Sequence, residues 1–263
     1  MTALTAPARK TSDLGIRSIT GAAMIVVTLA CLVYGQTPLW ALLSIAALVM
    51  MAEWAALIGA PRWQSWAALT GLAIPLFLAQ PHLDLSGPAP FYGLAVTVPI
   101  IALTTRRPRL AAGMLYAGLP TLSLAYLHDR YDGMSLTLWA LAIVWATDIG
   151  AYFAGRSIGG PKLAPVMSPN KTWAGLIGGM IAAIAIGFLL AWLLHLPYRL
   201  AAFSGLLAVA AQAGDLYESM MKRKAGVKDS GRFLPGHGGA MDRLDGVVPV
   251  ACLVGLIVAL GIV

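Results

Sequence analysis

Asp215, Glu218, Ser219 and Lys222 fall at i, i+3, i+4 and i+7 in the run Gly214-Asp-Leu-Tyr-Glu-Ser-Met-Met-Lys222. On a helix this spacing makes a single stripe of two carboxylates, a hydroxyl and an ammonium. Asp242 and Asp245 repeat the i, i+3 spacing just before the last apolar run. Two carboxylate pairs thus come from neighbouring helix ends. Hard oxygen donors in this number suit Mg2+, which keeps waters and substrate phosphates in its shell. Asp215, Glu218, Asp242 and Asp245 are therefore the candidate metal ligands, and a second cation is compatible with four of them. The competing reading is a solvated loop whose acids are neutralised by Lys222, Arg223 and Arg243. Acids set this close to apolar runs favour the site.

Between the two pairs runs Lys228-Asp-Ser-Gly-Arg-Phe-Leu-Pro-Gly-His-Gly-Gly239, where Gly236, Gly238 and Gly239 let backbone N–H groups approach an anion. No Gly-Lys-Ser/Thr follows, so this is not a Walker loop. A Ser219–His237–Asp242 hydrolase triad lacks the strand–elbow–helix context that such a serine needs. No His/Cys cluster points to zinc. Ser168-Pro-Asn-Lys-Thr172 precedes another apolar run and is expected to open a helix. Its free N–H groups and the Lys171 ammonium suit a phosphate, with ordinary capping as the alternative. Asp148 lies in an apolar run with Tyr152 and Arg156 on the same face at i+4 and i+8. It either joins the site or forms a structural pair with Arg156. Glu53 is the other acid within an apolar run, and such a group usually marks a site or a pair.

The elements that must position these residues follow from composition. Of 263 residues, 59% are hydrophobic and 11% charged, against about 25% charged in soluble domains. A chain this apolar cannot bury its side chains in one soluble core, and lipid is the solvent that fits. About nine candidate spans run over residues 16–34, 38–58, 63–80, 90–104, 110–127, 135–154, 173–194, 200–217 and 246–263. The first resembles a signal peptide, with Arg9, Lys10 and Arg17 before its apolar core, and is expected to stay uncleaved. Cys31 and Cys252 sit in apolar runs and read as small buried hydrophobes. Lys and Arg collect in cytoplasmic loops. With the N-terminus inside, sixteen of the 18 fall in inner segments, and only Arg130 and Arg199 fall in outer ones. The expected fold is an all-α integral membrane protein with a cytoplasmic N-terminus and an outer C-terminus. Residues 1–130 form a multi-span region. Residues 131–263 form the catalytic region, with cytoplasmic loops at 155–172 and 218–246.

The run from Ser219 to Asp245 carries S-x-x-K-R, then K-D, then H-G-G-x-x-D-R-x-D. It closely resembles the signature of phosphatidate cytidylyltransferases, the CDP-diacylglycerol synthases. Asp148-Ile-Gly-Ala-Tyr-Phe-Ala-Gly-Arg156 and Ser168-Pro-Asn-Lys-Thr-Trp-Ala-Gly175 resemble that family's upstream blocks, in the expected order. The resemblance covers roughly residues 145–250. Ala174 stands where the family usually has Glu, and Ala240 is smaller than the residue usual there. The resemblance implies that CTP and phosphatidate give CDP-diacylglycerol and pyrophosphate, with Mg2+, for phospholipid synthesis. It implies catalytic roles for Asp215, Asp242, Asp245 and Lys171. Lys222, Arg223, Lys228, His237, Arg243, Ser219 and Asn170 would bind substrate, with Asp148 as a further candidate.

The implied partners are CTP, phosphatidate and membrane lipids, with no nucleic acid; a homodimer is compatible. The implied location is the bacterial inner membrane, with the site facing the cytoplasm. A membrane lipid or polyprenol kinase, or an archaeal-type lipid cytidylyltransferase, would use the same metal and phosphate logic on another lipid. A cation transporter would instead place acids at the midplane of discontinuous helices in paired halves. Here they cluster at one surface of one half.

Overall fold

The computed structural model describes residues 10–83, 85, 87–231 and 238–262, with side chains from residue 20 onward. Apolar runs broken by glycine and proline fold as helices: α1 (Lys10–Tyr34), α2 (Gln36–Leu57), α3 (Arg62–Leu78), α4 (Ala89–Thr105), α5 (Pro108–His128) and α6 (Gly133–Ser157). After a short hairpin come α7 (Trp173–Leu193), α8 (Tyr198–Ala202), α9 (Ser204–Lys224), α10 (Met241–Leu244) and α11 (Val247–Ala259). Gly35, at φ 110°, separates α1 from α2, and Pro108 at the first turn of α5 supplies a φ already suited to a helix.

Each of the nine apolar segments coincides with helix, although the eighth is divided into α8 and α9. Four of the helices, α2, α5, α6 and α7, are long and apolar enough to cross a membrane. The segment 20–34 and helices α4 and α11 are apolar but shorter. The all-α expectation holds apart from one short hairpin. Residues Lys162–Ala164 (β1) and Ser168–Thr172 (β2) form an antiparallel hairpin that pairs Lys162 with Thr172 and Ala164 with Ser168. Ser168 to Thr172 therefore does not open a helix. Pro169 cannot donate a backbone hydrogen bond and the residue before a proline avoids the helical region, so the chain stays extended until Thr172. That residue caps α7, its Oγ1 accepting the Gly175 N–H at 3.0 Å.

Two apolar clusters make the core. One joins α5, α6, α7, α8, α9 and α11 around Trp139, Ile143, Leu200 and Leu207. The other joins α2, α3, α4 and α5 around Met51, Leu72 and Met114, and it also takes in Ala240 and Met241. The buried face of α7 is Gly175, Gly179, Ala183, Gly187 and Ala191, small residues four apart. This lets two backbones approach closely, as helices must where lipid gives no hydrophobic drive between them. A Cβ at Gly178 would overlap that of Ala154, and one at Gly179 would lie 2.9 Å from the Thr147 carbonyl oxygen. The close packing fixes Asp148 on α6 relative to Lys171 at the foot of α7. Cys31 and Cys252 are unpaired, and both are half-buried where full burial was expected.

Candidate active site

Helix α9 runs to Lys224, well past the expected end of its span, so the stripe from Asp215 to Lys222 is helical throughout. Ser219 Oγ donates to Asp215 Oδ1 at 3.3 Å, and Lys222 Nζ lies 2.5 Å from Glu218 Oε2. Both are the i, i+4 contacts that the spacing predicts. The ammonium of Lys222 also meets Asp242 Oδ1 at 2.6 Å, tying α9 to α10. The Glu218 side chain is fully buried and that of Asp242 is 7% exposed, so one cation is shared between two carboxylates away from water. Breaking such a pair from one side costs about 3–5 kcal/mol.

Asp242 is held on its other oxygen as well. Oδ2 accepts from Ser230 N and Ser230 Oγ, each at 3.0 Å, and from Gly239 N at 2.7 Å. Burial pushes this carboxyl up, but contacts with Glu218 and Lys222 and the Gly239 and Ser230 N–H groups outweigh it. They hold the group at about 2, below its ordinary 3.8. A depressed carboxyl contributes stability above the ordinary carboxylate range, and that contribution is lost as pH falls from about 3.8 through about 2. Asp242 is therefore charged at any working pH. Gly238 has φ 81°, and a Cβ there would sit 2.6 Å from Asp242 Oδ2. Glycine is required both by the backbone and by the carboxylate it wraps.

A second group forms around Lys171. The residue lies on β2, and its Nζ meets Asp215 Oδ2 at 2.6 Å, so the hairpin is joined to α9. Asp148 and Asp245 both lie within electrostatic reach of Asp215 and Lys171. The backbone brings Asp245 close: a Cβ at Gly214 would overlap the Asp245 carbonyl oxygen. Asp245 Oδ1 accepts its neighbour Gly246 N–H at 2.7 Å. Among the described residues no ion pair links Asp148 to Arg156. Asp148 instead faces the charges of Asp215, Lys171 and Arg243.

The structure thus sorts the four candidate metal ligands into two sets, Glu218 with Asp242 around Lys222, and Asp215 near Asp245 beside Lys171. Among the described residues no three His, Cys, Asp or Glu side chains converge closely enough to cage an ion by themselves. Mg2+ usually takes one or two carboxylates and completes its shell with phosphates and water. Asp215 and Asp245 could supply that smaller set, with Asp215 sharing its charge with Lys171, while Glu218 and Asp242 share the more buried ammonium of Lys222. Asn170, Arg223, Lys228 and Arg243 are exposed. His237 lies outside the described residues.

One participant was visible only as a lone carboxylate in an apolar helix. Glu53 of α2, 7% exposed, accepts from Ser230 Oγ at 3.0 Å, Ala240 N at 2.9 Å and Met241 N at 2.9 Å. Its neighbour Trp54 donates to the Arg109 carbonyl at 2.8 Å and lies 5.1 Å from the Tyr116 ring and 6.4 Å from that of Tyr217. Helices α2, α5 and α9 are thereby locked beside the carboxylates. Ala240 is 7% exposed and Met241 fully buried, so the small residue at 240 fits where its N–H must reach Glu53.

A profile of the cytidylyltransferase family matches residues 15–260. The chain is 53% identical over 146 residues to the phosphatidate cytidylyltransferase of Brucella suis, covering 54% of each protein. It is 46% identical over 130 residues to that of Haemophilus influenzae, covering 46% of this chain and 44% of the relative. With the Staphylococcus aureus protein of the same name it shares 41% identity over 135 residues, 50% of this chain and 52% of the relative. The chain spans about half the length of the curated relatives it matches. With nearly its whole length matched by the profile, the chain belongs to the cytidylyltransferase family.

Proposed function

We propose that the chain transfers a cytidylyl group from CTP to phosphatidate, giving CDP-diacylglycerol and pyrophosphate. The observation that carries this reading is the convergence of two lysine–carboxylate groups, Lys171–Asp215 and Lys222–Glu218–Asp242, at the ends of apolar helices. There a lipid phosphate and a soluble triphosphate can meet. The name shared by the relatives supports phosphatidate over a polyprenyl acceptor.

A phosphate oxygen of phosphatidate would attack the α-phosphorus of CTP, and the bond to the leaving pyrophosphate would break. The nucleophile is already largely ionised, so no strong base is needed, and catalysis rests on positioning and charge neutralisation. Lys171 would hold one phosphate beside Asp215. Lys222, fixed by Glu218 and Asp242, would present a cation to another, with Arg223, Lys228, Arg243, Asn170 and His237 contacting the rest of the triphosphate. Mg2+ held by Asp215 and Asp245 would neutralise the triphosphate and stabilise the departing pyrophosphate. Residues 131–263 supply these reacting groups. Formation of a liponucleotide from phosphatidate, and not from a polyprenyl phosphate, by the purified protein tests the assignment.

We further propose nine membrane crossings in the bacterial inner membrane, with the N-terminus and the site on the cytoplasmic side, on the strength of the Lys/Arg distribution. Ala225→Cys and Val227→Cys, each in a background lacking Cys31 and Cys252, should resist a membrane-impermeant thiol reagent in intact cells. In inverted vesicles they should react. The opposite labelling pattern overturns the topology.

A further inference from the structure

We propose that Glu53 is a positioning residue for turnover, holding from α2 the two backbone segments that carry and surround Asp242. The inference rests on the reading of Asp242 and Lys222 as substrate-directing groups. The carboxylate of Glu53 receives three hydrogen bonds, one from residue 230 and two from residues 240 and 241. A carboxylate is acceptor-only, so three converging donors match it and no neutral side chain of that size. The surroundings are shaped to it: a Cβ at Gly231 would sit 2.5 Å from Glu53 Oε1, and one at Gly239 2.5 Å from both carboxylate oxygens.

The same segments bind Asp242. The single hydroxyl proton of Ser230 is shared between Glu53 Oε2 and Asp242 Oδ2, each 3.0 Å from Oγ, its backbone N–H donates to Asp242, and Gly239 N, next to Ala240, also donates to Asp242. Glu53 therefore fixes residues 230 and 240–241, Ser230 and Gly239 fix Asp242, and Asp242 fixes Lys222. Glu53 lies too deep, at 7% exposure, to touch CTP itself. Its effect passes through the backbone to the groups that do.

Glu53→Gln keeps the shape but puts an amide donor against backbone donors, which displaces one of the two segments. A misplacement near 1 Å costs on the order of 100-fold in rate. With the purified full-length protein in detergent, assayed below its unfolding temperature, we expect kcat to fall at least about tenfold. The KM for CTP should rise at least about threefold. Simple loss of folded protein would lower kcat and leave KM unchanged. Glu53→Asp, which keeps the acceptors on a shorter stem, should recover part of both. Ser230→Ala leaves the two backbone bonds to Glu53 intact. It should raise the KM for CTP in the same direction, and the residual KM shift of Glu53→Asp carries the test if Glu53→Gln cannot be purified. Wild-type liponucleotide synthesis with an unchanged KM in these variants overturns the role of Glu53. Absence of synthesis by the wild-type protein instead overturns the function on which it rests.

Discussion

Asp215→Asn is expected to abolish turnover, by about a thousandfold or more, while leaving the fold in place. A single preorganised electrostatic contact contributes about 10²–10³ in kcat, and Asp215 combines a charge facing the proposed metal with an ion pair to Lys171. Its side chain is 34% exposed, so that pair contributes little to stability, within about 1 kcal/mol. Asparagine can still accept from Lys171 or Ser219. Asp242→Asn should be equally inactive but for a second reason. Both of its oxygens are committed to donors, and the new amide must face either Lys222 or the Ser230 and Gly239 N–H groups. An uncompensated charge in this buried position costs about 3–5 kcal/mol, so only this variant should lose thermal stability in detergent. Near-normal activity of both variants at saturating Mg2+ would remove the carboxylates from the mechanism.

Lys171→Gln should lower kcat/KM about ten- to a hundredfold. Charge-assisted contacts to phosphate contribute about 1.5–3 kcal/mol, which converts to that loss when the contact is made in the transition state. Capping does not explain this residue, because Lys171 lies on β2 and Thr172 caps α7. Among the described residues its side chain pairs with Asp215, itself 34% exposed, so thermal stability should hardly move. A loss below threefold would leave Lys171 as a surface link between the hairpin and α9, with the phosphate held by Lys222 and its neighbours.

Local rules read the helices well, because each apolar segment ends at a glycine, a proline or a charged turn that any chain must respect. The stripe on α9 was legible for the same reason: Glu218 and Lys222 meet through i, i+4 geometry alone. The hairpin at Lys162–Thr172 was not, since a two-stranded pairing of this size leaves no apolar alternation to detect. Helix α9 runs further than the apolar pattern implies because its charged end is held by Asp242, not by lipid. Two pairings depended on distant chain. Lys171 finds Asp215 across a whole helix, and Glu53 finds donors 177 to 188 residues away. A single acid in an apolar helix signals that a partner exists without saying which. The division of four acids into two sets likewise rests on where Lys171 and Lys222 come to lie.

Following the phosphates of CTP tests cytidylyl transfer at this site most directly. The purified protein, in detergent with phosphatidate and Mg2+, would be given CTP labelled at the α-phosphorus or at the γ-phosphorus. Label from the α position should enter the lipid fraction as a cytidine-containing product, with label from the γ position recovered in pyrophosphate. Transfer of γ label to lipid, or no transfer of either, would contradict cytidylyl transfer as the work of this site.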